Sequence, residues 1–296
     1  MHHSENSSSA TAWRVDSETG RLRDVLLCRP EHYSWIPTND IARRTLAGGI
    51  SFDRAAVAAQ YGEFEQALEE AGVRLHFLPP QAGLPYQVYT RDSSQMTPWG
   101  VAHTRLAMPQ RREEHPFVEA FYRAHGVPVW QEAPEGLLEG GDIHIIRPGL
   151  IIIGQSGGRT DAAGAEALAA AFRAEGWEAV VVPFAEHFLH LDVIFSMVTD
   201  GLALACSDVL DDDFLALLAA RGIRLIPVSY KEAMNAMACN VVALGDARVL
   251  SPRHSTRVNK MLRAEGIQVF DPELSMLAAG GGSAHCMSMP LRRDPV

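Results

Sequence analysis

A chain of 296 residues with 47% hydrophobic and 21% charged residues has the composition of an ordinary globular protein with a large core. No stretch approaches the roughly 18–20 apolar residues of a membrane span, and a formal net charge of −10 argues against a nucleic-acid partner while suiting a cationic small molecule. The four cysteines, at 28, 206, 239 and 286, form no CxxC pair, so structural disulfides are not expected and a reducing, cytoplasmic setting is.

In chain order, residues 1–12 are rich in Ser and His and read as a disordered tail. They lack the apolar h-region of a secretion signal. From residue 13 onward the chain reads as one domain without a linker. A strand is expected around Val25–Cys28, and Cys28 and Cys206 sit among apolar residues, where a thiol behaves as a small hydrophobe. Then one pattern recurs five times: an amphipathic helix, a glycine, and a short β-branched strand. The junctions are FEQALEEAGVRLHFLP around Gly72, FVEAFYRAHGVPVW around Gly126, ALAAAFRAEGWEAVVVP around Gly176, FLALLAARGIRLIPV around Gly222 and VNKMLRAEGIQVF around Gly266. A repeat of roughly 45–55 residues marks a propeller or an array.

Counting forward from each glycine reaches Asp92 at 20 residues, Glu139 at 13, His190 at 14, Asp192 at 16, Asn235 at 13 and Cys286 at 20. Equivalent units around an axis would bring these side chains together. Each segment alone is modest. YTRDSSQM holds Arg91 and Asp92 at a strand start, commonly a surface pair. LLEGGDIHII puts Glu139 and Asp142 around a Gly-Gly bend that opens a strand, where a carboxylate is often just a turn residue. HFLHLDVIF is read as a strand with His190 and Asp192 on one face and His187 at the surface. GGGSAHCMSMP is the sharpest, because three glycines allow close backbone approach and deliver Cys286, a nucleophile that needs a nearby base or cation. No metal set or phosphate-binding loop is found, so no cofactor is expected.

RD at 91–92, EGGD at 139–142, HLD at 190–192 and GGGSAHC at 280–286, in this order, resemble the guanidine-modifying enzymes: arginine and agmatine deiminases, dimethylarginine dimethylaminohydrolases and amidinotransferases. The likeness runs from RLRDVLLCRP at 21–30 to the cysteine loop. It implies the pentein fold, a five-bladed α/β propeller of ββαβ units with pseudo-fivefold symmetry, its last blade completed by the strand at Val25–Cys28. By this resemblance Cys286 is the nucleophile, His190 the proton carrier and Glu139 its acidic partner. Asp92 and Asp192 grip the guanidinium, while Arg111 and Arg159 hold a substrate carboxylate. Two features bear on the substrate. Tyr86 stands where relatives acting on arginine commonly place Asn or Asp toward the α-amino group, and the presence of Asp192 favours an unmethylated terminal guanidine.

The expected function is therefore a cofactor-independent cysteine hydrolase that cleaves a guanidino C–N bond through an amidino-thioether. Two alternatives stay open: an amidinotransferase, which passes the same intermediate to an acceptor amine, and a non-catalytic binding propeller. The expected partner is a small guanidino compound, and homo-oligomerisation is left open.

Overall fold

All five helix–glycine–strand junctions form. In the computed structural model, which describes residues 13–296, the junction glycines have φ between 67° and 82°, the left-handed region that ends a helix without a Cβ penalty. The tail expected at residues 1–12 lies outside the described residues. The helices are α1 (Asp40–Ala47), α2 (Arg54–Glu70), α3 (His115–Ala124), α4 (Ala162–Ala174), α5 (Asp212–Ala220), α6 (Tyr230–Ala236), α7 (Thr256–Ala264) and α8 (Ser275–Ala278). Several start at a carboxylate or amide that accepts the orphan N–H groups of the first turn: Asn39 for α1, Asp53 for α2, Asp161 for α4 and Asp211 for α5. None is long and apolar enough to cross a membrane.

The strands are β1 (Leu22–Cys28) and β2 (Arg74–Leu78); β3 (Ser94–Met96), β4 (Val101–His103) and β5 (Val129–Gln131); β6 (Ile143–Arg147), β7 (Leu150–Gln155) and β8 (Glu178–Pro183); β9 (Phe195–Thr199), β10 (Leu202–Ala205) and β11 (Arg224–Pro227); β12 (Val242–Gly245), β13 (Arg248–Leu250) and β14 (Gln268–Phe270); and β15 (Met289–Arg293). They form five three-stranded sheets, each an antiparallel pair joined by a parallel third strand that returns from a helix. This is the ββαβ unit, five times over, in a propeller-like pseudo-fivefold arrangement. The first unit is closed by the chain ends, since β1 pairs antiparallel with β15 and parallel with β2.

Burial shows which way each sheet faces. The first strands β3, β6, β9 and β12 are buried along all or nearly all their length, whereas the third strands β2, β5, β8, β11 and β14 each begin at an exposed residue. First strands also touch across units, β15 against β3 and β12 against β9. The segment LIII at 150–153 is a buried strand as expected, and Cys28 and Cys206 are buried among apolar neighbours.

Candidate active site

The residues that the repeat predicts for the centre lie in or beside the short turn just before the inward strand of a unit. Asp92 lies in a 3₁₀ turn (Thr90–Ser93) before β3, and Glu139 just precedes a turn (Gly140–Asp142) before β6. His190 and Asp192 flank and occupy the turn Leu191–Val193 before β9, and Cys286 precedes β15. The fifth unit contributes Asn240, two residues before β12, and not Asn235, which is exposed on α6. Helix α6 interrupts the forward count from Gly222; counting back from the inward strand finds Asn240.

Asn240 organises the cysteine loop. Its Oδ1 accepts from the backbone N–H of Ser283, His285 and Cys286 at 3.1, 3.1 and 3.2 Å, and its Nδ2 lies 3.1 Å from Cys286 Sγ. The thiol also lies 3.3 Å from Asp192 Oδ2, which is 2.8 Å from His285 Nδ1. Burial, then Asp192 and Asp92, push the Cys286 thiol well above its ordinary range, so it is protonated in this state. The glycine run works as its composition suggests: a Cβ on Gly280 or Gly282 would collide with the side chains of Tyr33 and Tyr89. Tyr86 closes this end, its hydroxyl bridging the carbonyls of Ile36 (3.0 Å) and Gly280 (2.9 Å).

His190 Nε2 lies 2.7 Å from Glu139 Oε2, and its Nδ1 lies 3.8 Å from Asp92 Oδ1. Burial alone would strip its proton, but Asp92, Glu139 and Asp142 outweigh that and raise its pKa to about 9. Burial would likewise protonate Glu139, yet Arg159 and His190 hold it down to about 2. The pair is an imidazolium on a carboxylate. The segment HFLHLDVIF is not the expected strand: Leu189 has φ 72°, Leu191–Val193 form a tight turn, and β9 begins only at Phe195. Its alternation belongs to a turn in which the His190 N–H donates to the Phe188 carbonyl and the Leu191 N–H to Asp142 Oδ1, with His190 set against Glu139 and Asp192 against His285 and Cys286. His187 is exposed, as expected.

Both candidate carboxylate-binding arginines are buried and already paired. Arg111 reaches Asp92 Oδ2 at 2.5 Å and both oxygens of Glu114 at 2.8 and 2.9 Å, and also donates to the Tyr86 and Tyr89 carbonyls. Arg159 reaches Glu139 at 3.5 Å and the Thr38 carbonyl at 2.6 Å. Arg91, read as surface charge, is buried at 2% exposure. It joins three of the turns: its backbone N–H donates to the Cys286 carbonyl, its side chain to the carbonyls of Gly140 and Ile143, and it pairs with Glu18 at 2.6 Å. Glu18, Glu114, Asn240 and His285 are the participants the sequence reading missed. Glu18, Asn240 and His285 pair with residues far along the chain, which no local pattern signals, whereas Glu114 is an i,i+3 partner of Arg111 that local spacing offered.

Among the buried polar atoms without a hydrogen-bond partner are Asp92 Oδ1, Asp192 Oδ1 and His190 Nδ1. Asp92, His190 and Cys286 line one small cavity with Tyr86, Tyr89 and Arg111. Two carboxylates, an imidazolium and a thiol so placed can receive a planar cation and attack it. Two trios, Asp92–Glu139–His190 and Glu18–His144–His285, have the spacing to hold a metal ion. Their carboxylates, however, already carry the guanidinium groups of Arg111, Arg159 and Arg91.

The arginine deiminase family profile matches residues 66–220 and 207–293. The uncharacterised protein YkgA of Bacillus subtilis is 30% identical over 94% of this chain and 94% of its own. Arginine deiminase of Rhodococcus jostii is 30% identical over 90% of this chain and 73% of its own. Among solved structures, a mutant of DDAH from Pseudomonas aeruginosa complexed with citrulline superposes with a TM-score of 0.76 at 22% identity, covering 91% of this chain and 99% of that one. The substrate-bound N-terminal domain of ArgZ, a cyanobacterial arginine dihydrolase, gives 0.79 at 21%, covering 91% and 98%.

Proposed function

Because the chain belongs to the arginine deiminase family, we propose that it is a cysteine hydrolase that acts on an unmethylated terminal guanidine through a covalent intermediate on Cys286. Hydrolysis of C–N bonds in guanidino compounds is its chemistry; the covalent route and the substrate are the finer reading. The observation that carries it is the set of buried, unpartnered atoms Asp92 Oδ1, Asp192 Oδ1 and His190 Nδ1 on the residues around Cys286. A guanidinium, which carries only donors, satisfies the two carboxylate oxygens, while the His190 Nδ1–H is held toward Asp92.

The steps follow from the charges. A cation between Asp92 and Asp192 offsets the field that holds the thiol protonated, and the thiol loses its proton to solvent as the cation binds. The thiolate adds to the central guanidinium carbon. His190, charged through its contacts with Glu139 and Asp92, gives its proton to the departing amine, leaving a cationic amidino-thioether. Neutral His190 then takes a proton from water as the water oxygen adds to that carbon. Collapse breaks the C–S bond, the hydroxyl proton passes to the departing sulfur and restores the thiol, and a ureido product is left. Asp192 supports the preference for an unsubstituted nitrogen, and four unpaired, buried cysteines support a reducing cytoplasmic setting.

Incubation with arginine, agmatine, guanidino acids and methylarginines, with ammonia, methylamines and ureido products measured, tests this reading. Added glycine or another acceptor amine distinguishes hydrolysis from amidino transfer. Absence of any ureido product sinks the proposal. The rate is expected to be insensitive to EDTA; loss restored by a divalent ion would assign one of the two His–carboxylate trios to catalysis.

A further inference from the structure

His190 follows a backbone conformation that leucine rarely adopts. Leu189 has φ 72° and ψ −75°, and the His190 N–H donates to the Phe188 carbonyl at 2.9 Å. This is the γ-turn of the strained hand, which persists only where its surroundings over-determine it. On its far side one buried group grips the chain: the Leu191 N–H donates to Asp142 Oδ1 at 2.8 Å. Asp142 comes from the preceding unit and is wholly buried.

The packing leaves it no slack. A Cβ on Gly154 would stand 2.7 Å from Asp142 Oδ1 and 2.9 Å from the Leu191 Cβ, and a Cβ on Gly141 would stand 2.6 Å from His190 Nδ1. Asp142, the turn and the imidazole are thus stacked in a slot cut by two glycines. The charged groups facing His190 are Asp92, Glu139 and Asp142, and those facing Asp142 are His190 and Asp192, with the Thr160 hydroxyl also on it. Burial, partly offset by His190, raises the Asp142 carboxyl to about 7.

We propose that Asp142 is a positioning residue: by accepting from the Leu191 N–H it holds the strained Leu189 turn shut, and so keeps His190 Nε2 on Glu139 with Nδ1 toward Asp92. This rests on the reading of His190 as the proton carrier. The acceptor atom, not the charge, does the holding, and a residue at 189 that accepts positive φ freely makes the clamp dispensable.

Three variants test it: D142N, which keeps an acceptor oxygen, D142A, which removes it, and L189G/D142A, which removes the strain as well. D142A is expected to lose about 30- to 100-fold in kcat with KM little changed, because displacement of a catalytic group by about 1 Å costs that order. D142N should stay within about threefold of wild type in kcat, with the pH limb that reports His190 moved down because a nearby negative charge is gone. L189G/D142A should recover about tenfold of the loss. The ring-proton NMR signals of His190 give a readout that needs no turnover: sharp in wild type and D142N, broadened or split in D142A, sharp again in the double variant. If the wild type cleaves no guanidine, the functional reading fails while these signals still decide the clamp. Should D142A not fold, D142N and the double variant carry the test. A D142N whose kcat falls as far as expected for D142A, a wild-type-like D142A, or a double variant that is neither restored in rate nor sharpened in signal overturns the proposal.

Discussion

Cys286, the proposed nucleophile, sits where its own surroundings suppress its reactivity. With Asp192 Oδ2 at 3.3 Å and burial opposing charge, the resting thiol is protonated, and on the proposed reading a cation between the carboxylates releases it. A cationic amidine with a leaving group, such as 2-chloroacetamidine, is therefore expected to inactivate much faster than iodoacetamide, with the adduct on Cys286. Asp92→Asn or Asp192→Asn should narrow the gap. Equal rates for the two reagents, or an adduct on Cys28, Cys206 or Cys239, would remove the idea. Asn240 separates support from electrostatics at the same atom. Asn240→Ala orphans the buried backbone N–H groups of Ser283 and Cys286, leaves that of His285 only its 3.4 Å bond to the residue-240 carbonyl, and should lower Tm sharply, at about 1–3 kcal/mol for each unsatisfied donor. Asn240→Asp keeps the acceptor but replaces the donor 3.1 Å from Sγ by negative charge. It should leave Tm nearly unchanged at neutral pH while slowing alkylation; a faster-reacting thiol in Asn240→Asp would contradict the field argument.

At the scale of elements, the helix–glycine–strand junction is local chemistry and was legible. The functional turns were legible in position but not in form. The alternation in HFLHLDVIF imitates a strand, yet the segment gives its N–H groups to Phe188 and to Asp142 of another unit. A partner 49 residues away cannot be seen in a nine-residue window. The EGGD turn shows the same dependence. Gly141 carries no Cβ because the His190 ring occupies that space, with Nδ1 2.6 Å from where the Cβ would be. Gly141→Ala is expected to push the imidazole off Glu139 and lower kcat by about 100-fold while the far-UV circular dichroism stays native. Turnover within about threefold of wild type would mean that the ring has room the packing denies it.

For the whole molecule, the centre is a buried charge assembly and makes stability depend on pH. His190 has its folded pKa raised from the ordinary 6.5 to about 9, so its contribution is complete below about pH 6.5 and is lost as pH rises through 9. Glu139 is depressed from 4.5 to about 2, so its contribution is present above pH 4.5 and lost as pH falls through 2. Tm is expected to fall between pH 7 and 10, and His190→Gln should flatten that decline while being less stable at pH 7. A wild-type Tm that is level to pH 10 would show that His190 carries no such charge.

The sequence by itself determined the repeat and four of its five contributions to the candidate site. A helix stop, a β-branched strand and a glycine-rich approach are set by neighbours within a few residues. Only the tertiary structure decided the partners: Asn240 rather than Asn235, Glu114 on Arg111, Glu18 on Arg91 and His285, and Asp142 on Leu191. Most of these contacts join segments tens to hundreds of residues apart. A buried charge must find an opposite charge or a donor wherever the fold brings one near, and that choice is made when the five units close around their centre.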